Sequence, residues 1–400
     1  MNRNKKSLHS SLATNITMAL SLAVFSLAGS AMAEAAEHYQ TALVGTWTSI
    51  PDAPAEQKPD RPSEGLYRLK VNSDGTLAPL DVIKMKSPSW IVKSRDGRFA
   101  YTTNEENNGT VTALSIDKSG QVRVLNVVDS HGQQPTHATI SPDGKFLFVA
   151  NYSVAKGGAG VSVFPIHSDG KLGEQVQHFP YENGSGGIKG RQDGGHAHAT
   201  TFTPDGKYLY ANDFGGDKLH AYRYHADKAQ PLEADSARDV NFTPGSGPRH
   251  MVFAPDGKHA WVITELTSEI AVFRVNQDRL EPVAHVRLNT ENSSAEYRSG
   301  GGIILSPDGK YVIASNRGSD NKLLVLKIGA DGMPGKPASY RANGVEPRAF
   351  TFDGSGKYLY VTNVFSNNIS LFHFNADTGE LKAAGDAAKI PTPTDIKFFN

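Results

Sequence analysis

The chain reads as an all-β protein, a seven-bladed β-propeller with four antiparallel strands per blade. Three observations predict it. A turn-and-strand phrase recurs six times, each recurrence is flanked by further apolar strands, and the two ends of the chain supply complementary pieces of a seventh unit. The phrase is clearest at Ser141-Pro-Asp-Gly-Lys145, which runs into Phe146-Leu-Phe-Val-Ala-Asn151. Variants begin at Ser94, Thr203, Ala254, Ser306 and Asp353. Self-similarity at a period of about 50 residues marks a repeat architecture.

Each part of the phrase has a local reason. Pro presets the first central position of a turn, and Asp and Gly complete it. The residues after the turn are aromatic or β-branched, which suits a strand. A short apolar strand precedes each turn, as at His137–Ile140, Ala199–Phe202 and His250–Phe253. A third strand follows, as at Thr110–Ile116, Gly160–Phe164, Leu219–Tyr224, Ile270–Val275, Leu323–Ile328 and Ile369–Phe374. A weaker fourth follows turns such as Gly120-Gln-Val122. Four strands per repeat make a propeller blade.

The six phrases account for six blades. Residues 41–85 hold the later strands of another blade without its opening strand, and Pro393–Phe399 supplies a strand of that kind. Pairing the N- and C-terminal strands closes the ring and removes exposed sheet edges. Neither a Trp-Asp dipeptide nor a double glycine recurs at a fixed offset, which excludes the two commonest propeller repeats.

Composition adds bounds. The 400 residues are 38% apolar, enough for a large core, and the formal net charge is zero, which argues against a polyanion-binding protein. There is no cysteine, so disulfide and thiol chemistry are excluded. Residues 1–33 read as a secretory signal peptide. Arg3, Lys5 and Lys6 form its basic start, 16–29 its apolar run, and Ala31-Met-Ala33 its cleavage site. A single propeller domain over 34–400 is then expected in the periplasm, as a monomer without membrane attachment or nucleic-acid partner. Residues 51–63, rich in Pro and charge, read as a surface loop.

The repeat also supplies coordinates. Five residues before each turn phrase stand Ser89, Thr136, His198, Arg249, Gly301 and Arg348. Eleven after its first residue stand Glu105, Tyr152, Phe214, Glu265, Arg317 and Val364. The first two strands of a blade form a hairpin, so both offsets fall on one rim, around the mouth of the central channel. His198, Arg249, Glu265 and Arg317 break the pattern on three neighbouring blades. Guanidiniums bind carboxylate or phosphate, and Glu and His exchange protons, so this set suits an anionic substrate with an ester or lactone carbonyl. The bland alternative is a structural Glu265–Arg317 ion pair between blades. His196, Arg348 and Glu105 are candidate substrate-binding residues on the same rim.

No metal or other cofactor is expected. His196 and His198, with His137 or His250, could make a metal site, but no acidic cluster completes it. His137 and His250 fall one residue later in the repeat than His198, at the offset of Trp90, and are expected to face the opposite way as packing residues. Residues 183–195 form a Gly-rich loop before His196. It is either a plain inter-blade loop or a lid carrying Lys189 and Arg191 toward an anion.

Five segments carry a family resemblance: Pro135-Thr-His-Ala-Thr-Ile-Ser-Pro-Asp-Gly144, Gly195-His-Ala-His198, Gly247-Pro-Arg-His-Met-Val-Phe253, Thr264-Glu-Leu266 and Ser315-Asn-Arg-Gly318. They resemble the lactonase family of seven-bladed propellers, which includes 6-phosphogluconolactonases and muconate lactonizing enzymes. The resemblance spans essentially all of the chain after the leader. It implies a catalytic set of one His, two Arg and one Glu, matching His198, Arg249, Arg317 and Glu265. It implies a lactonase for a sugar lactone or a carboxylated lactone, with Glu265 or His198 as the expected general base. The leader departs from the cytoplasmic family enzyme by making this one exported. A muconate-type cyclase and a non-catalytic binding propeller remain alternatives. Tyr360-Val-Thr-Asn363 is also similar to YVTN-type binding propellers.

Overall fold

A computed structural model of the chain describes residues 41–49, 62–153, 158–277, 279–288 and 298–399. The leader expected over 1–33 lies outside these residues, as does all but the end of the expected loop at 51–63.

The described residues form seven four-stranded antiparallel sheets, one of which carries a fifth short strand. Blade one is built from both ends of the chain, in the order Pro393–Phe399, Thr41–Thr46, Gly65–Val71, Leu77–Lys84. Its closing pair aligns Ala42 with Phe398 and Val44 with Ile396. Blades two to seven follow in sequence, with inner strands Pro88–Lys93, Pro135–Ile140, Ala197–Phe202, Pro248–Phe253, Arg298–Leu305 and Pro347–Phe352. Each inner strand touches the inner strands of both neighbouring blades, and the contact of Pro393–Phe399 with Pro88–Lys93 completes the ring.

The core sits between blades. Seven clusters of buried apolar side chains fill the seven interfaces. Between blades six and seven, Tyr311, Ile313, Leu323 and Val325 meet Phe350, Leu359, Val361 and Phe372. Each such side chain contributes about 1.5–3 kcal/mol by leaving water.

The turn phrase also docks one blade on the next. Gly206 has φ of +73°, and a Cβ there would lie 2.8 Å from Pro142 of the preceding phrase. Gly257, Gly309 and Gly356 meet Pro204, Pro255 and Pro307 in the same way. Arg95 replaces proline in the first phrase, and a Cβ on Gly144, which follows it, would meet nothing within 4 Å.

A candidate active site at the bulged rim

The rim opposite the turns is irregular in a regular way. In every blade the pairing of the inner strand slips near its start. Ala197 faces Asp213 and Ala199 faces Asn212, which leaves His198 as the extra residue. The same slip isolates Ser89, Thr136, Arg249 and Arg348, and falls within Gly300–Ile303 and Pro393–Asp395. A β-bulge inserts one residue and re-aims side chains, often beside active sites. The offset five before the phrase is thus the bulge position. The offset eleven after it ends the partner strand, where Glu265 N–H donates to Gly247 O at 2.7 Å and Phe214 N–H to His196 O at 2.8 Å.

These two sets of positions bring Arg249, Glu265 and Arg317 into contact. Glu265 Oε2 accepts from Arg249 Nε at 3.1 Å and pairs with Arg317 Nη2 at 2.8 Å. Glu265 Oε1 accepts from Arg191 Nη2 at 2.8 Å. Arg249 also donates to Gly301 O at 2.9 Å. Arg317 donates to Glu346 Oε1 at 2.8 Å and to Ser299 Oγ at 2.7 Å. The ion pair between blades that the sequence allowed does form, but as part of a five-member network.

Burial alone would push the Glu265 carboxyl up. Arg317, Arg249 and Arg191 outweigh it and hold the carboxyl down to about 2. Burial and the charges of Arg317 and Arg348 disfavour the charged form of Arg249, while Glu265 favours it. A guanidinium keeps its proton in proteins, so the pair is ionic.

His198 is buried near this network. Its ring packs edge-on to Tyr152 and His250, with centres 5.6 and 5.1 Å away. Burial, then Arg249, Arg348 and Arg317, push it well below the usual histidine range, so it is neutral at pH 7. Its Nδ1 is buried without a hydrogen-bond partner.

His196 points elsewhere. It stacks on Tyr152 at 4.7 Å, and its Nδ1 donates to the carbonyls of Tyr152, at 3.0 Å, and Ser153. Arg348 and Glu105 make a second cluster on the rim. The Arg348 guanidinium lies 4.2 Å above the Trp47 ring and donates to Glu105 Oε2 at 3.3 Å, which also accepts from Trp47 Nε1 at 3.0 Å.

One orientation expected from the sequence is corrected. His137 and His250 do not face away from His198. The His250 ring meets His198, His137 and Trp90, at 5.1, 5.5 and 5.3 Å between centres. Strict alternation predicted opposite faces, and the bulge between the two offsets breaks that alternation. Burial, then Lys397 and Arg249, push His137 down to about 3. Among the described residues no group of three or more His, Asp or Glu is arranged to hold a metal ion.

Sequence reasoning missed Glu346, Ser299 and Trp47. Glu346, Ser299 and His196 share one further offset, seven before the phrase. Ser87, Gln134, Gly247 and Glu346 at this offset all have positive φ. That offset was a readable signal.

A closed ring of seven blades with a charged, bulged rim at the channel mouth defines the class of protein. The sequence matches the family described as "Lactonase, 7-bladed beta-propeller" over residues 41–398. It is 32% identical over 350 residues to a 6-phosphogluconolactonase of Formosa agariphila, covering 85% of this chain and 96% of that protein. It is 30% identical over 349 residues to the Bacillus subtilis 6-phosphogluconolactonase, covering 84% and 95%. Among solved structures it resembles the periplasmic gluconolactonase of Pseudomonas aeruginosa, with TM-score 0.83, 31% identity, and coverage of 90% of this chain and 99% of that one. The chain belongs to the seven-bladed β-propeller lactonases, a family of lactone-hydrolysing enzymes.

Proposed function

We propose that the protein is an exported lactonase that opens a six-membered sugar lactone of the gluconolactone kind. One observation carries the reading: two guanidiniums, Arg249 and Arg317, converge on Glu265 Oε2 within the electrostatic reach of the neutral imidazole of His198. His198 serves better than Glu265 as the base, because three arginines hold the Glu265 carboxylate. In the proposed reaction His198 takes a proton from water as the oxygen attacks the lactone carbonyl. Arg249 and Arg317 N–H groups stabilise the oxyanion. The ring C–O bond then breaks, and the leaving oxygen takes the proton back from His198. The product is an open-chain hydroxy acid. Such a base contributes about 10²–10⁴ in rate, and one oxyanion donor about 10²–10³.

Charge supports the product. Four guanidiniums (Arg191, Arg249, Arg317 and Arg348) face three carboxylates (Glu105, Glu265 and Glu346), an excess of one positive charge for one new carboxylate. Export rests on the leader read in residues 1–33, with 34–400 as the mature domain, and on the periplasmic Pseudomonas relative. The test is a panel of purified mature protein against glucono-1,5-lactone, 6-phosphogluconolactone and a carboxymuconolactone, followed by acid release. Turnover of a sugar lactone is expected. Release no faster than buffer hydrolysis for every lactone would sink the proposal. N-terminal sequencing of the periplasmic fraction should find Glu34 first.

A further inference from the structure

Four arginines surround the mouth, and they are not equivalent. Arg249, Arg317 and Arg348 stand on strands, with side chains 1%, 7% and 11% exposed. Arg191 stands on the Gly-rich loop and is 38% exposed. The oxygens of Glu265 divide along the same line. Oε2 is held by the two buried strand arginines, and Oε1 accepts from Arg191.

The loop around Arg191 is fixed at both ends. At its start Ser185 N–H donates to Gly215 O at 2.8 Å and Ser185 Oγ to Asp217 Oδ2 at 2.6 Å. Gln192 is fully buried, and its Nε2 donates to Phe214 O and Asp217 Oδ2, both at 2.8 Å. Residues 186–190 are all exposed. A Cβ on Gly186 or Gly190 would meet nothing within 4 Å, whereas Gly187 lies close against Pro244 and Gly245. The Arg191 guanidinium lies over the Phe214 ring at 5.1 Å. A ring face attracts a cation without fixing the direction of its N–H groups, so Arg191 can turn its donors while staying over Phe214.

The cost of leaving Glu265 also differs. Arg249 and Arg317 have further buried acceptors in Gly301 O, Ser299 Oγ and Glu346. Moving either would strand those groups. Moving Arg191 gives up its pairing with the Tyr152 side chain but leaves Glu265 with two charged partners, and turns the partly exposed guanidinium into water or onto a ligand.

We propose that Arg191 is the specificity-determining arginine of this mouth, exchanging Glu265 Oε1 for a carboxylate or phosphate oxygen of the bound ligand. The proposal rests on the lactonase reading for its ligand class. Two sources share that chemistry: the carboxylate formed as any lactone opens, and a phosphate already on the sugar.

The experiment separates binding from turnover. Calorimetry with D-gluconate and with 6-phosphogluconate is run on wild type, Arg191→Ala and Arg191→Lys, with melting curves to check folding. Arg191→Ala is expected to weaken at least one anion about 10–100-fold, the loss of a charge-assisted hydrogen bond. Arg191→Lys is expected to lose less than Arg191→Ala. The KM for neutral glucono-1,5-lactone, measured on the same variants, should rise by less than the anion Kd values do, because that ligand brings no charge for Arg191 to meet. Loss with gluconate assigns the partner to the new carboxylate, and loss with 6-phosphogluconate alone assigns it to phosphate. Unchanged binding of both anions overturns the proposal, as does equal weakening of anions and neutral lactone. A wild type that turns over no lactone but binds gluconate through Arg191 would refute the lactonase reading and leave this one standing.

Discussion

Two charged clusters share one rim, and they are built on different arithmetic. Three guanidiniums converge on Glu265: Arg249 and Arg317 from blades five and six, and Arg191 from the loop before blade four. At the junction of blades seven, one and two, Arg348 meets Glu105 under the Trp47 ring. The second cluster is matched in charge, and its guanidinium face is covered by an aromatic ring. The first holds a surplus of cation beside a histidine with an unpartnered nitrogen. A matched pair returns its energy to the fold, whereas a surplus kept in place by other contacts is available to a substrate. The strand residues of both clusters occupy the same two repeat offsets, so the offset selects the place, and the extra cation from the Gly-rich loop and the stoichiometry select the use.

The largest expected effect tests the reactive side of that contrast. His198→Ala should lower kcat about 10²–10⁴-fold on the lactone that the panel identifies, with a melting curve to confirm that the variant is folded at the assay temperature. Full activity in this variant would make the two clusters alike. Arg249→Ala should cost about 10²–10³ in kcat. It should also cost about 2–5 kcal/mol of stability, because Arg249 is fully buried and its loss leaves a void and strands the Gly301 carbonyl. Urea titration and initial rates measure the two losses, and a stability loss alone would return this cluster to the structural class.

A smaller effect depends on pH. His137, His198 and His250 are held below the usual histidine range, chiefly by burial. Between the unfolded value near 6.5 and the depressed folded value, the unfolded chain binds more protons. Their contribution is therefore whole above about pH 6.5 and drains as pH falls, by about 1.4 kcal/mol per pH unit for each histidine. Glu265, held at about 2 against an ordinary 4.5, adds a loss of the same sign below about pH 4.5. Urea midpoints should drop steadily from pH 7 to pH 5, and a flat profile would show that the imidazoles take up protons inside the folded ring. The smallest effect belongs to the matched cluster. Arg348→Ala should change kcat/KM less than about tenfold, as for a contact that only borders the substrate. A loss as large as that of Arg249→Ala would erase the distinction between the clusters.

Much of this was legible in the chain. The recurrence of the turn phrase set the blade count, and the missing strand of 41–85 found its complement in Pro393–Phe399, as the pairing of Ala42 with Phe398 bears out. Counting from the phrase placed His198, Arg249, Glu265 and Arg317 on one rim, because equal offsets in a repeat are equal places in space. Which side chain meets which was decided elsewhere. The bulge is a slip between two strands, visible only once they pair, and it turned His250 toward His198, with His137 behind it, against simple alternation. Arg191 reaches Glu265 across 74 residues from a loop with no repeat position. Glu346 reaches Arg317 from the next blade. Local sequence determines turns, strands and their period, since those are set by neighbouring residues. The pairing of charges, and the carboxylate's pull toward about 2, depend on distances that exist only when the ring is closed.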